Sequence, residues 1–163
     1  MMGYTDRHCR YLFRLIAKNT TLFSEMITSS ALVFGDQEKL LAHAADEPVV
    51  LQLGGNKPSE LAFAASLGEA AGYQEINLNC GCPSDRGQNA GIGACMMEKP
   101  DLTAECYRAM VEAVNIPVTI KSRIGVDKND SYDFFYTFIS SLFDAGCRHF
   151  SIHARNAILK GLT

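Results

Sequence analysis

The stretch Asn77-Leu78-Asn79-Cys80-Gly81-Cys82-Pro83-Ser84 holds the residue types and spacing best suited to chemistry. An apolar run breaks there into a turn of glycine, proline and serine that carries a thiol and aims Cys82 outward. A thiol has a reference pKa of roughly 8.5, so at neutral pH it is mostly protonated yet able to deliver its proton, which suits a general acid. The other cysteines read differently. Cys9, Cys106 and Cys147 read as small buried hydrophobes, Cys95 of Gly93-Ala94-Cys95 as helix packing, and Cys80 as incidental. Cys80-x-Cys82 lacks the two-residue gap of a zinc knuckle, and no second Cys/His pair stands at ligand spacing, so no metal is expected.

Polar residues recur at comparable places. Glu25, Gln52, Asn79, Lys121 and His153 each stand toward the C-terminal end of a short apolar run. Those runs, at residues 22–28, 48–53, 75–79, 117–121 and 149–153, read as strands. Helical patterns separate them at 29–45 (interrupted at Gly35-Asp36), 58–71 (stopped by Gly72), 101–114 and 131–145 (stopped by Gly146). Thr5 or Asp6 can cap a first helix with Leu12, Phe13 and Ile16 on its inner face, and residues 80 to about 93 read as irregular.

Repeated βα units predict a parallel sheet, either doubly wound or closed as a barrel. No G-x-G-x-x-G follows the first strand, and reactive groups converge from many strand ends, so the (β/α)₈ barrel is favoured. A full barrel takes about 250 residues. With 163 residues and five visible strands, the expectation is one incomplete barrel domain over residues 1–163, of five to six βα units and cut at both ends.

Apolar residues make up 47 % and charged residues 20 %, the balance of a soluble globular protein. No apolar run approaches the roughly 18 residues of a membrane span, and Met1-Met2-Gly3-Tyr4 lacks a signal segment, so the expected address is the cytoplasm. A net charge of −3 argues against a protein coated in positive charge for nucleic acid. A local patch stays open: Arg7, Arg10, Arg14 and Lys18 line one helix face, either as a solvated surface or as an RNA contact.

The run N-L-N-x-G-C-P-S-D-R, followed by G-A-C-M-M, resembles the active-site signature of tRNA-dihydrouridine synthases, most closely their A-type branch. The opening M-M-G-Y-T-D-R-H resembles the loop after that family's first strand. Leu51-Gln52-Leu53-Gly54-Gly55, Ile120-Lys121-Ser122-Arg123 and Ile152-His153-Ala154-Arg155 resemble its third, fifth and sixth strands in register. The likeness runs in order along essentially the whole chain.

The resemblance implies reduction of uridine to 5,6-dihydrouridine in the D-loop of tRNA. It assigns Cys82 as proton donor to C5 of the uracil, while reduced FMN gives hydride to C6. It places Asn79 on the uracil, and Gln52, Lys121, His153 and Met1 on the flavin. Arg123 and Arg155 become contacts to substrate. A lysine charge beside the flavin N1 and C2 carbonyl would stabilise its anionic reduced form, and Gln52 offers both donor and acceptor to a pyrimidine edge. NADPH as reductant, tRNA as partner and a monomeric state follow from the family alone. So does a C-terminal helical tRNA-binding domain, together with a flavin-phosphate site on the last two barrel units, neither of which this sequence contains. The 163-residue piece alone is therefore expected to hold FMN poorly. Two other readings stand beside this one: an FMN barrel acting on free pyrimidines, as dihydroorotate and dihydropyrimidine dehydrogenases do, and a non-catalytic half-barrel.

Overall fold

Five apolar runs pair in chain order into one parallel sheet, β1-β2-β3-β4-β5. The computed structural model describes residues 3–43 and 46–159. The strands are β1 (Leu22–Thr28), β2 (Val49–Gly54), β3 (Glu75–Cys80), β4 (Val118–Ser122) and β5 (Phe150–Ile152). Helix α1 (Arg7–Ile16) precedes β1, and between the strands lie α2 (Ser29–Phe34), α3 (Gln37–Leu41), α4 (Pro58–Ala70), α5 (Asp85–Ala90), α6 (Pro100–Ala113) and α7 (Tyr132–Asp144). A parallel sheet whose strands follow chain order, with crossovers of one hand, puts its helices on one face. The result is a partial (β/α)₈ barrel, not closed among the described residues.

Strand periodicity sorts the side chains. Leu51, Leu53, Ile76, Leu78, Cys80, Val118 and Ile120 are buried in the main apolar core. Gly68 lets α4 come close, since a Cβ there would lie 2.5 Å from Leu51 Cδ2 and 2.9 Å from Ile76 Cδ1. The alternate positions Gln52, Asn77, Asn79, Thr119 and Lys121 turn to the other face, the interior of the barrel. Local signals set the helix ends: Asp6, Thr28, Asp36, Ser84 and Ser131 cap with their side chains, and Pro58 and Pro100 open α4 and α6.

The first helix departs from expectation. Leu12, Phe13 and Ile16 are exposed, and the residue that α1 buries is Arg10, 4 % exposed. Its Nε lies 2.5 Å from the carboxylate of Asp46, itself fully buried. Arg14 donates to the carbonyl oxygens of Ala17, Lys18, Asp46 and Pro48. These two arginines are consumed in holding the chain that leads into β2. The row Arg7, Arg10, Arg14, Lys18 is therefore not a continuous exposed face: Arg10 is buried and Arg14 half-buried, and its exposed members are Arg7 and Lys18.

Residues 80–93 are also more ordered than expected. Ser84 accepts from Gly87 N to start α5, Gly91 (φ 65°) ends it, and a 3₁₀ helix, Gly93–Glu98, follows. Six residues are too few for a helical period to show in the sequence. The helix expected over 29–45 splits into α2 and α3 and stops at Leu41, while Cys9 is half-buried on α1 rather than in the core. Among the described residues no helix is long and apolar enough to cross a membrane, and no three His, Cys, Asp or Glu gather to hold a metal ion.

Candidate active site

Parallel register sets Gln52 opposite Asn77, Asn77 opposite Thr119, and Asn79 opposite Lys121. The two carboxamides nearest the barrel mouth then meet: Asn79 Nδ2 donates to Gln52 Oε1 at 2.8 Å. Asn79 Oδ1 accepts from the backbone N–H groups of Gly81 (3.0 Å) and Cys82 (2.9 Å). One side chain thus fixes the backbone of the thiol to the strand that presents it. Gln52 is held from behind as well. A register shift between Phe23 and Met26 brings the Ser24 hydroxyl to its backbone N–H at 2.9 Å.

From below, Cys82 rests on the 3₁₀ helix. Ala94 N donates to Cys82 O at 2.9 Å, and Gly93 (φ 66°) passes so close that a Cβ there would lie 2.5 Å from that same oxygen. Cys82 is half-buried, and its Sγ donates to Ser84 Oγ at 3.4 Å. Burial pushes the thiols of Cys80, Cys95, Cys106 and Cys147 up, Cys106 to about 12.

Four basic side chains crowd the ends of β4 and β5. Lys121 is half-buried, and burial, then the Arg123 charge, hold its ammonium below the usual lysine range. Arg123 donates to Gly81 O at 3.1 Å across the Cys82 loop. Burial lowers its pKa first, the Arg155 charge adds to this, and Cys82 acts in the opposite sense. His153 follows β5 with its N–H on Ser122 O at 2.9 Å, and its side chain is exposed. Its pKa is held below the ordinary imidazole value chiefly by Arg123, with smaller contributions from desolvation, Lys121 and Arg155. Among the described residues no carboxylate lies within ion-pair distance of any of the four.

This arrangement suits a planar, carbonyl-bearing ring system that carries negative charge. Carboxamides on β2 and β3 address ring edges, the basic groups address the charge, and a thiol stands beside them. The comparison that decides the family is with a model described as dihydrouridine synthase (Dus), which matches residues 1–161. The chain belongs to the dihydrouridine synthase family. It is similar to proteins named tRNA-dihydrouridine(20/20a) synthase from Pseudomonas syringae pv. tomato (53 % identical), Vibrio vulnificus (51 %) and Synechocystis sp. (51 %). Each likeness covers 100 % of this chain and 49 %, 50 % and 49 % of those relatives respectively. The chain thus spans about half the length of the curated relatives it matches.

Seven of the eight residues singled out in the sequence fall in the described part. Gln52, Asn79 and Cys82 are joined by hydrogen bonds, while Lys121, Arg123, His153 and Arg155 are joined by the electrostatics above. Met1 lies outside the described residues. The N-terminal loop is tied to β1, where Gly3 N donates to Glu25 Oε1.

Sequence reading passed over Ser24, Asn77, Thr119 and Glu75. Gln52 Nε2 donates to Asn77 Oδ1 (2.9 Å), Asn77 Nδ2 to Thr119 Oγ1 (2.8 Å), and Thr119 Oγ1 to Glu75 Oε1 (2.6 Å). The signal was present in β3, where polar Glu75, Asn77 and Asn79 alternate with apolar Ile76, Leu78 and Cys80.

Proposed function

We propose that this chain forms the front part of the catalytic barrel of a flavin-dependent tRNA-dihydrouridine synthase, with Cys82 as the acid that protonates C5 of the target uracil. The observation that carries the reading is the Asn79 side chain, which ties the Cys82 backbone to Gln52 beside four basic groups that lack a carboxylate partner among the described residues. The donor set fits FMN: Gln52 keeps one N–H and one lone pair for a ring edge, Lys121 supplies positive charge to an anionic ring, and His153 adds a further N–H. When bound in its reduced form, FMN supplies the hydride that the uracil C5–C6 double bond takes at C6, and NADPH is the reductant of the cycle.

The chain's own residues account for the rest. The target base leaves its stack to enter the mouth, where the second Nδ2 hydrogen of Asn79 meets a uracil carbonyl. Charge that develops on the ring is discharged when Cys82 Sγ passes its proton to C5, and Arg123, lying across the same loop, faces the thiolate left behind. Arg123 and Arg155 are the contacts to substrate. In this reading residues 1–163 are part of one barrel domain, and the remainder of the whole protein carries the flavin-phosphate site and a helical tRNA-binding domain.

The test uses the whole protein, extended to the length of its relatives from the same genome, with FMN, NADPH and unmodified tRNA. Mass spectrometry is expected to show a gain of two hydrogen atoms at D-loop uridine, with a near-complete loss for Cys82→Ala. If tRNA stays unchanged while free uracil is reduced, the assignment to tRNA is wrong.

A further inference from the structure

The side chains behind the mouth form a chain in which every hydrogen bond points the same way. Donation runs from the backbone N–H groups of Gly81 and Cys82 to Asn79, then to Gln52, Asn77, Thr119 and Glu75. We propose that Glu75, Thr119 and Asn77 are positioning residues, forming a one-way relay anchored on the Glu75 carboxylate that fixes which atoms Gln52 and Asn79 turn toward a ligand. The inference deepens the functional reading above and rests on it for the ligand's identity.

The direction is determined from both ends. At the top, two backbone N–H groups can only donate, so Asn79 must show them its oxygen and its Nδ2 must face Gln52. Gln52 must then accept through Oε1 and donate through Nε2, Asn77 must do likewise, and Thr119 is left with its hydroxyl hydrogen to give away. At the bottom stands a carboxylate, which accepts only. Had either end been a group of the other kind, two donors or two acceptors would face each other within a buried row, a mismatch that costs more than a hydrogen bond contributes.

The consequence is a definite polarity at the mouth. Asn79 has spent both oxygen lone pairs and one N–H, so it offers a ligand one donor and no acceptor. Gln52 has one N–H and one lone pair left. Position 79 therefore reads a carbonyl oxygen, and position 52 reads a carbonyl next to a ring N–H.

A double-mutant cycle reads the relay without cofactor or tRNA. Asn79→Asp keeps an oxygen for Gly81 and Cys82 but sets another against Gln52 Oε1. Gln52 and Asn77 must turn over, Thr119 then donates upward, and its lone pairs meet the Glu75 carboxylate. In that background Glu75→Gln supplies the missing N–H, whereas in the wild type its amide oxygen simply replaces the carboxylate. The cycle is run on the whole protein by thermal unfolding. N79D is expected to lower the midpoint by about 2–6 °C, E75Q alone by about 1 °C or less, and the double variant is expected to recover at least half of the loss.

Residues 75 and 79 are four apart on one strand, roughly 13 Å, a separation at which mutations ordinarily add. Recovery must also vanish when Thr119→Val cuts the relay while leaving the groups at its two ends in place. Additive effects of N79D and E75Q, or recovery that persists in the Thr119→Val background, overturn the relay. Should N79D fail to fold, a second comparison decides. Thr119→Val is expected to weaken FMN binding about tenfold by fluorescence titration and Thr119→Ser to stay within about twofold; equal affinities overturn the proposal. If wild-type protein binds no FMN, the functional reading falls, and the unfolding cycle still decides the relay.

Discussion

Gly93→Ala asks how closely the Cys82 loop is held. Gly93 sits at φ 66°, a left-handed conformation that costs an L side chain about 1–2 kcal/mol. The new methyl would also stand 2.5 Å from Cys82 O and 3.2 Å from Cys82 Cβ. The first distance is about 0.9 Å short of ordinary contact at 3.4 Å. The atom in the way is backbone, and it accepts from Ala94 N at 2.9 Å, so it cannot swing aside like the tip of a flexible side chain. The loop must move by several tenths of an ångström, carrying Cys82 Sγ with it. A misplacement near 1 Å can cost about 10²-fold in rate.

Gly146→Ala is the matched control. Gly146 has φ 103° and nothing within 4 Å of a built Cβ, so it suffers the backbone strain without the collision. The assay measures thermal midpoints and steady-state tRNA reduction for both variants of the whole protein. Both should lose roughly 1–2 kcal/mol of stability from the strain, G93A somewhat more. Only G93A should lose kcat, by about 10- to 100-fold, with KM for tRNA little changed. A G93A enzyme that turns over like G146A would refute the argument that the 3₁₀ helix positions the thiol.

Two further expectations concern the basic cluster. His153 should titrate below its ordinary value, and Arg123→Gln should bring it back up because Arg123 is the main cause; ¹H–¹³C NMR of the imidazole reads both. With the folded pKa depressed, the unfolded chain binds more protons, so this group's contribution to stability falls as pH drops through 6.5 toward the folded value. Lys121→Met should raise the unfolding midpoint of the flavin-free protein, since burial and Arg123 both disfavour the ammonium, and should weaken FMN binding at least about tenfold in the same preparation. A lower midpoint with unchanged FMN affinity would contradict both the electrostatics and the assignment.

Much of this architecture is written in local signals. The apolar run 22–28 coincides with β1, and α4, α6 and α7 begin and end within one residue of the bounds expected at 58–71, 101–114 and 131–145. Gln52, Asn79 and Lys121 were legible because a polar residue near the end of a buried parallel strand has few structural reasons to be there. What escaped depends on partners distant in sequence. Arg10 reads as a surface residue until Asp46, 36 positions on, is known to be buried against it. Thr119 and Glu75 meet across 44 positions, and Gln52 and Asn77 across 25. No window of roughly 18 residues, the longest over which periodicity is read, contains such pairs.

The acidic net charge and the anionic substrate proposed above are reconciled by where the charges sit. Arginines that look like an RNA-binding row are spent inside the protein, on Asp46 and on carbonyl oxygens. Lys121, Arg123, His153 and Arg155 are grouped at one end of β4 and β5 with no carboxylate among the described residues to balance them, and three of the four have lowered proton affinities, Lys121 and Arg123 first by burial and then by a neighbouring charge, His153 first by Arg123. His153 is the clearest reporter, because its side chain is exposed and the leading cause of its shift is another charge rather than burial. Holding like charges together costs stability in the free protein, and the cost is recovered only when something negative enters the mouth. A field of this kind needs no excess of basic residues overall: it acts over a few ångströms, where the proposed reaction places a reduced flavin, a polarised uracil and the thiolate of Cys82.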